Sequence, residues 1–156
     1  MKTTSEKLGL SLLVILIVAL AAYLWYRHSN SAEQRLADSA MRSQYVFGQY
    51  INADYGSAKG AILDHIILLD RLSAESGNPS RNPYAADAIA WFVRLAKLDE
   101  GNDDSRRSEY MRAACSRCEK LGRADCSEVS LSQQIDRMDT IARSQLSDGP
   151  NDSDRR

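Results

Sequence analysis

Hydrophobic residues are concentrated at the start of this chain. The segment Leu8–Tyr26 reads LGLSLLVILIVALAAYLWY and contains no charged residue. Nineteen residues in a helix rise about 28 Å, close to the thickness of the hydrocarbon core of a bilayer. Lys7 and Arg27 flank the segment, and three of its last four residues are aromatic, as is common at a membrane interface. The pattern predicts a single transmembrane helix.

A cleaved signal peptide is the main alternative for this segment. Lys2 and Lys7 provide a basic start, and residues 19–21, Ala-Leu-Ala, resemble a cleavage site. Because the apolar residues continue past that site into bulky aromatics, we expect an uncleaved signal-anchor. A short basic N-terminus tends to stay in the cytoplasm. The prediction is therefore a single-pass protein of the cell membrane whose C-terminal domain is periplasmic or otherwise extracytoplasmic.

Beyond Arg27 the apolar residues recur at helical spacing and are interrupted by short turn-forming segments. Serine and asparagine precede several of these periodic segments, and Ser31 and Ser130 each have a glutamine three residues later, which is the pattern of a capping box. Ser57 and Asn82 are the expected N-caps of two further helices. The predicted helices are Ser31–Asn52, Ala58–Ala74, Pro83–Asp99, Ser105–Leu121 and Ser130–Leu146.

The expected fold class is all-α, with one N-terminal transmembrane helix and a soluble domain of about five helices packed as antiparallel hairpins. The broad apolar face of Ala58–Ala74 predicts that this helix is central. The predicted organisation is a short N-terminal tail (1–7), the anchor (8–26), the helical soluble domain (27–146) and a disordered polar tail (147–156).

Charge and short motifs exclude several classes of function. The formal net charge is −1, which is unlike the strongly basic balance of nucleic-acid binders, so we expect no nucleic-acid partner. The glycines and lysine of residues 56–60 lack the spacing of a phosphate loop. The acidic residues of 99–104 lack the order of a calcium loop. We therefore expect no cofactor, no metal and no catalytic residue.

The three cysteines are the clearest candidates for chemistry. In one interpretation Cys115 and Cys118 are small core residues of one helix face. In a second, Cys126 forms a disulfide with Cys118, or with Cys115, in an oxidising compartment. In a third, the cysteines form a redox or metal site, although the pair lies well inside a helix and lacks a preceding strand. The disulfide depends on the domain being extracytoplasmic.

Other side chains suggest a binding surface. One face of the fourth soluble helix and its end is basic, and it could contact anionic lipid or an acidic partner. Acidic residues interrupt it, so a solvated face is the alternative. Trp91 and Phe92 are adjacent, which allows one of them to be an exposed anchor, while His65 is expected to be a packing residue. The basic residues are Arg106, Arg112, Arg117, Lys120 and Arg123.

The leading hypothesis is a non-enzymatic, membrane-anchored helical module for protein interaction or assembly. Its partners would be the membrane, through Leu8–Tyr26, and either another protein or a second copy of the chain. The alternative hypothesis is a thiol-redox or metal-handling membrane protein that uses Cys115, Cys118 and Cys126.

Overall fold

The structure of the chain is a computed structural model. It describes the backbone of residues 3–77 and 82–147 and the side chains of residues 14–27, 31–77 and 82–145. Within these ranges the chain forms α-helices and no strand, which confirms the predicted all-α class. The five helices are α1 (Thr3–Asn52), α2 (Tyr55–Glu75), α3 (Pro83–Leu98), α4 (Asp104–Lys120) and α5 (Glu128–Ser147).

Helix α1 corrects the prediction of a break before Ser31. The helix continues without interruption from Thr3 to Asn52, so the chain has one helix where two were predicted. Residues 27–35 contain neither proline nor glycine. A serine inside a helix costs only about 0.5 kcal/mol relative to alanine, whereas a break requires a new helix nucleus. The chain divides into two compact units between Gln44 and Tyr45, so the last turns of α1 belong to the second unit.

The predicted anchor lies within α1. Over the part of the chain that the structure describes, no helix has both the length and the apolar character that crossing a membrane requires. Residues 8–13 of the predicted anchor have side chains outside the described residues. From Val14 to Tyr26 every side chain is exposed, and the large apolar ones are between 52% and 78% exposed.

Helix α3 begins where the sequence predicts. The Asn82 side-chain oxygen accepts hydrogen bonds from the backbone N–H groups of Tyr84 (3.1 Å) and Ala85 (3.2 Å), and Pro83 occupies the first helical position. The Asn82 amide also donates to the Ser73 carbonyl at 2.9 Å, which joins the start of α3 to the end of α2. One residue therefore caps α3 and joins it to the end of α2.

The starts of two other helices differ from the prediction. Asp54, and not Ser57, caps α2, because its carboxylate accepts from the Ser57 backbone N–H at 3.1 Å. Helix α5 begins at Glu128 and not at Ser130. There the Ser127 hydroxyl accepts from the Ser130 N–H at 3.3 Å. In both cases a nearby side chain capped the helix two or three residues earlier than expected. Most of the predicted polar tail, residues 148–156, lies outside the described residues.

The central helix is α3. This corrects the prediction from the sequence, which was that α2 is central. Nine of its residues are buried, against five in the longer α2. The side of α3 that carries Trp91 and Leu95 packs with Ile62, Ile66 and Leu69 of α2. Its other side packs with α4 and α5 in a second cluster. A helix with neighbours on two sides buries more than one stripe, so α3 contributes to both parts of the core. The second cluster contains Ile89, Val93, Met111, Ala114, Cys118, Leu131 and Ile135.

Polar contacts give the direction of the helices around α3. Asn82 at the start of α3 meets the end of α2, and Lys59 at the start of α2 bonds Asp99 at the end of α3. These two helices are therefore antiparallel. On α5, the early residue Asp136 pairs with Lys97 of α3, and the later Asp139 pairs with Arg94. Helix α5 is thus also antiparallel to α3.

The ion pair between Arg94 and Asp139 is buried, because the two side chains are only 8% and 9% exposed. The Arg94 Nε and Nη2 atoms donate to one Asp139 oxygen at 3.0 and 2.7 Å. The guanidinium carbon lies 4.5 Å from the ring centre of Trp91 and 5.2 Å from that of Phe47, within the range of cation–π attraction. Nearby, burial and the Asp139 charge raise the pKa of Tyr50. The pair joins α3, α5 and the last turns of α1.

Candidate functional site

The end of α4 is cross-linked to the connection that follows it. A disulfide joins Cys118 and Cys126, whose Cα atoms are 5.6 Å apart. Helix α4 ends at Lys120, and Gly122 at φ +65° turns the chain back, a conformation that glycine adopts without steric cost. This reversal returns Cys126 to the last turn of α4. Of the two predicted pairings, the structure contains Cys118–Cys126.

Cys115 is the free thiol of the three cysteines. It lies one helical turn before Cys118 and is half-buried against the cluster that α3, α4 and α5 form. Burial raises the pKa of its thiol, and the negative charges of Glu128 and Glu119 raise it further. At neutral pH the residue is therefore held as a thiol, which is a weak nucleophile.

The predicted basic surface is only partly available to a partner. Arg117 does not point into solvent with the others: its guanidinium forms an ion pair with Asp70 of α2 and lies 4.6 Å from the centre of the Phe92 ring. Arg106 pairs with the neighbouring Asp103 at 3.2 Å. The remaining three residues, Arg112, Lys120 and Arg123, are exposed.

The aromatic pair of α3 is not an exposed anchor. Trp91 is 1% exposed, and Phe92 is half-buried beneath Arg117. His65 is fully buried and meets Trp91 edge to face, with ring centres 5.5 Å apart. Its Nε2 atom lies 3.7 Å from an Asp87 oxygen. These contacts place Trp91 and His65 in the packing of α2 against α3, and Phe92 against Arg117 of α4.

The sequence pattern did not predict the buried carboxylate of Asp99 at the end of α3. Asp99 is fully buried, and its Oδ1 atom accepts from the Tyr55 hydroxyl at 2.5 Å and from Lys59 Nζ at 2.7 Å. Burial lowers the pKa of Lys59, but its bonds to Asp99 and Tyr55 and the Asp99 charge outweigh that effect and hold the pKa above its usual value. The Lys59 ammonium also lies 5.8 Å from the centre of the Tyr110 ring. The cluster joins α2, α3 and α4.

A cleft of about 310 Å³ opens where α3, α4 and α5 meet. Charged side chains of both signs line it. Lys97 pairs with Asp136 across the helices, and Arg107 pairs with Glu128, outside the lining, at 3.2 Å. Three of the four charged lining residues, Lys97, Arg107 and Asp136, are therefore used to hold these helices together.

Helix α5 exposes an uncharged strip, which we call the α5 strip. It consists of Gln134, Met138, Ile141 and Gln145, whose spacing of four, three and four residues places them on one face. Met138 is 52% exposed and Ile141 is 59% exposed. Its two apolar side chains, Met138 and Ile141, are three residues apart, a spacing found among the contacts of a helix that docks against another helix or into a groove.

No protein-family model, no curated protein and no solved structure matches this chain.

Replacement of Lys59 by methionine is expected to destabilise the fold by about 3 kcal/mol, because it leaves the Asp99 charge buried without its cation. Lys97→Met is the matched control. Its partner Asp136 is 68% exposed and can be solvated, so we expect a loss of about 1 kcal/mol. Urea denaturation of the full chain in detergent measures both. Equal losses would contradict the assignment of Asp99 as a buried charge that depends on Lys59.

Proposed function

We propose that the chain is a non-enzymatic, membrane-anchored helical module that binds a protein partner. The observation that carries this proposal is the exposed apolar surface of α1. From Val14 to Tyr26 the helix presents large apolar side chains all round, at a cost of about 25 cal/mol for each Å² left in water. Such a surface requires a cover, and hydrocarbon is the cover that suits an uncharged segment of this length.

Leu8–Tyr26 is accordingly proposed as the anchor, in one membrane-spanning helix. The basic residues Lys2 and Lys7 favour a cytoplasmic N-terminus and an extracytoplasmic C-terminal domain. The disulfide between Cys118 and Cys126 supports this orientation, because disulfides persist in oxidising compartments such as the periplasm. The proposed location is therefore the cell membrane, with residues 27–146 as the extracytoplasmic domain.

The α5 strip is the proposed contact surface for the protein partner. Its four side chains carry no charge, so a partner helix can cover them without desolvating an ion. The partner is either another protein or a second copy of the chain. The exposed residues Arg112, Lys120 and Arg123 would add attraction to an acidic partner or to anionic lipid.

The cysteine chemistry of the alternative function has less support. A redox-active cysteine needs a lowered pKa, whereas burial raises the pKa of the Cys115 thiol. Cys118 and Cys126 use their sulfur atoms in the disulfide. Among the described residues no group of three or more histidine, cysteine or acidic side chains is arranged to hold a metal ion.

Two arginines within the anchor should release the protein from the membrane. The variant Leu16→Arg/Leu20→Arg places two charges near the centre of the segment, each unfavourable by about 3 kcal/mol. The matched control, Leu36→Arg/Ala40→Arg, has the same spacing on the same helix outside the anchor. We expect wild type and control to resist alkaline carbonate extraction of membranes and the anchor variant to be lost from the pellet. Carbonate extraction of the wild type would refute the anchor.

A photo-crosslinking amino acid at Ile141 tests the partner surface in intact membranes. We expect a discrete adduct from this position and none from Thr140, which lies on the same helix but faces away from the α5 strip. An adduct of twice the mass of the chain identifies a second copy, and another discrete mass identifies a different protein. Equal labelling from both positions, or none from either, would argue against the α5 strip as a binding surface.

A further inference from the structure

The three cysteine sulfurs occupy one small region of the protein. Cys115 and Cys118 are one helical turn apart on α4, a spacing that places their Cβ atoms about 5–6 Å from each other. Both residues, together with Cys126, pack against the same hydrophobic cluster. Cys126 is already bonded to Cys118, so a free thiol lies one turn from an intact disulfide.

Cys115 also lies close to the segment that carries Cys126. The charge of Glu128, two residues after Cys126 and the first residue of α5, acts on the Cys115 thiol more strongly than that of Glu119 on its own helix. A carboxylate must be near a group to influence it in this way. Cys115 is half-buried against the same cluster as Cys126 and lies three residues before Cys118 in α4, so its side chain is on the side of the helix that carries the disulfide.

We propose that the disulfide migrates between two pairings, Cys118–Cys126 and Cys115–Cys126. In the forward step the Cys115 thiolate attacks the Cys126 sulfur, a bond forms between these two atoms, and the bond from Cys126 to Cys118 breaks. Cys118 leaves as a thiolate and takes up a proton from solvent, which replaces the proton that Cys115 lost. The number of disulfides does not change, so the step requires no oxidant or reductant.

The exposure of the two bonded cysteines determines which sulfur is attacked. Cys118 is 1% exposed within the core, whereas Cys126 is partly exposed in the connection between α4 and α5. That connection is not helical, and Asp125 within it has φ +61°, a conformation that costs free energy for a residue with a side chain. Its backbone can therefore rearrange without breaking a helix.

The two pairings differ in where they attach the start of α5. Moving the bond from Cys118 to Cys115 shifts the attachment point by three residues, or about 4.5 Å along α4 toward its N-terminus. It also releases Cys118 as a thiol inside the core. Because Cys115 is held protonated at neutral pH, exchange is expected over minutes to hours. The protein would thus contain a slow internal switch, which goes beyond the proposed binding function.

The variant Cys118→Ser tests whether Cys115 can reach Cys126. The full chain in detergent is equilibrated with oxidised and reduced glutathione, alkylated, digested and analysed by mass spectrometry. We expect a peptide cross-linked between Cys115 and Cys126 in most molecules. If the two cysteines are recovered only as alkylated thiols or as glutathione adducts, the second pairing does not form and the proposal fails.

Exchange in the wild type provides the second measurement, which does not depend on a variant that folds. The protein, purified without reductant, is incubated at pH 8.5, and samples are acid-quenched and alkylated at intervals. We expect alkylation to begin on Cys115 and to appear on Cys118 over hours until it reaches a plateau. Cys115→Ser is the control and should leave Cys118 unmodified. Alkylation confined to Cys115 throughout the incubation would overturn the proposal.

Discussion

The buried ion pair between Arg94 and Asp139 is the contact on which the arrangement of the helices depends. A guanidinium in the middle of the central helix is unfavourable unless a carboxylate neutralises it and further groups replace its water. Asp139 supplies the carboxylate from α5, and the rings of Trp91 and Phe47 lie within the range of cation–π attraction to the group. The requirements of a single charge therefore position α5 and the last turns of α1 against α3.

The other fixed points follow from the same central helix. Asp99 lies buried at the end of α3 and forms an ion pair with Lys59 at the start of α2. Asn82 begins α3 and bonds the end of α2, so the α2–α3 pair is held at both ends. The disulfide then closes the α4–α5 connection. Polar bonds that tolerate little displacement set the directions of the helices, and the apolar clusters between them supply the larger share of the stabilisation.

Local features of the sequence were predictable because they depend on neighbouring residues. The Asn82–Pro83 start of α3 required only the preference of asparagine for N-caps and of proline for the first helical position. A disulfide from Cys126 to Cys118 or to Cys115 could be proposed because Gly122 can turn the chain back after α4, and the structure contains the Cys118–Cys126 pairing. The prediction that a helix starts at Ser31 was wrong, because the residues of a capping box are also tolerated inside a continuous helix.

Contacts between distant residues could not be predicted in this way. Lys59 and Asp99 are 40 residues apart in the sequence, and Arg94 and Asp139 are 45 apart. Neither separation belongs to a sequence pattern that would predict the pair. Arg117 lies on the polar side of α4 in projection, yet its long side chain reaches Asp70 and Phe92 on two other helices. The choice of the central helix also depends on contacts between distant residues. The broad apolar face of α2 therefore led to the wrong expectation that α2, and not α3, is central.

A double-mutant cycle on Arg94 and Asp139 tests most directly whether this pair organises the domain. The measurement uses the full chain in detergent with Trp25→Phe, which leaves the buried Trp91 as the only tryptophan for urea denaturation. Arg94→Met and Asp139→Ala should each cost about 3 kcal/mol, because each leaves a buried charge without its partner. The double variant should cost less than the sum of the two by about 2 kcal/mol. Losses that add to within about 0.5 kcal/mol would show that the two charges act independently and would contradict the central role of the pair.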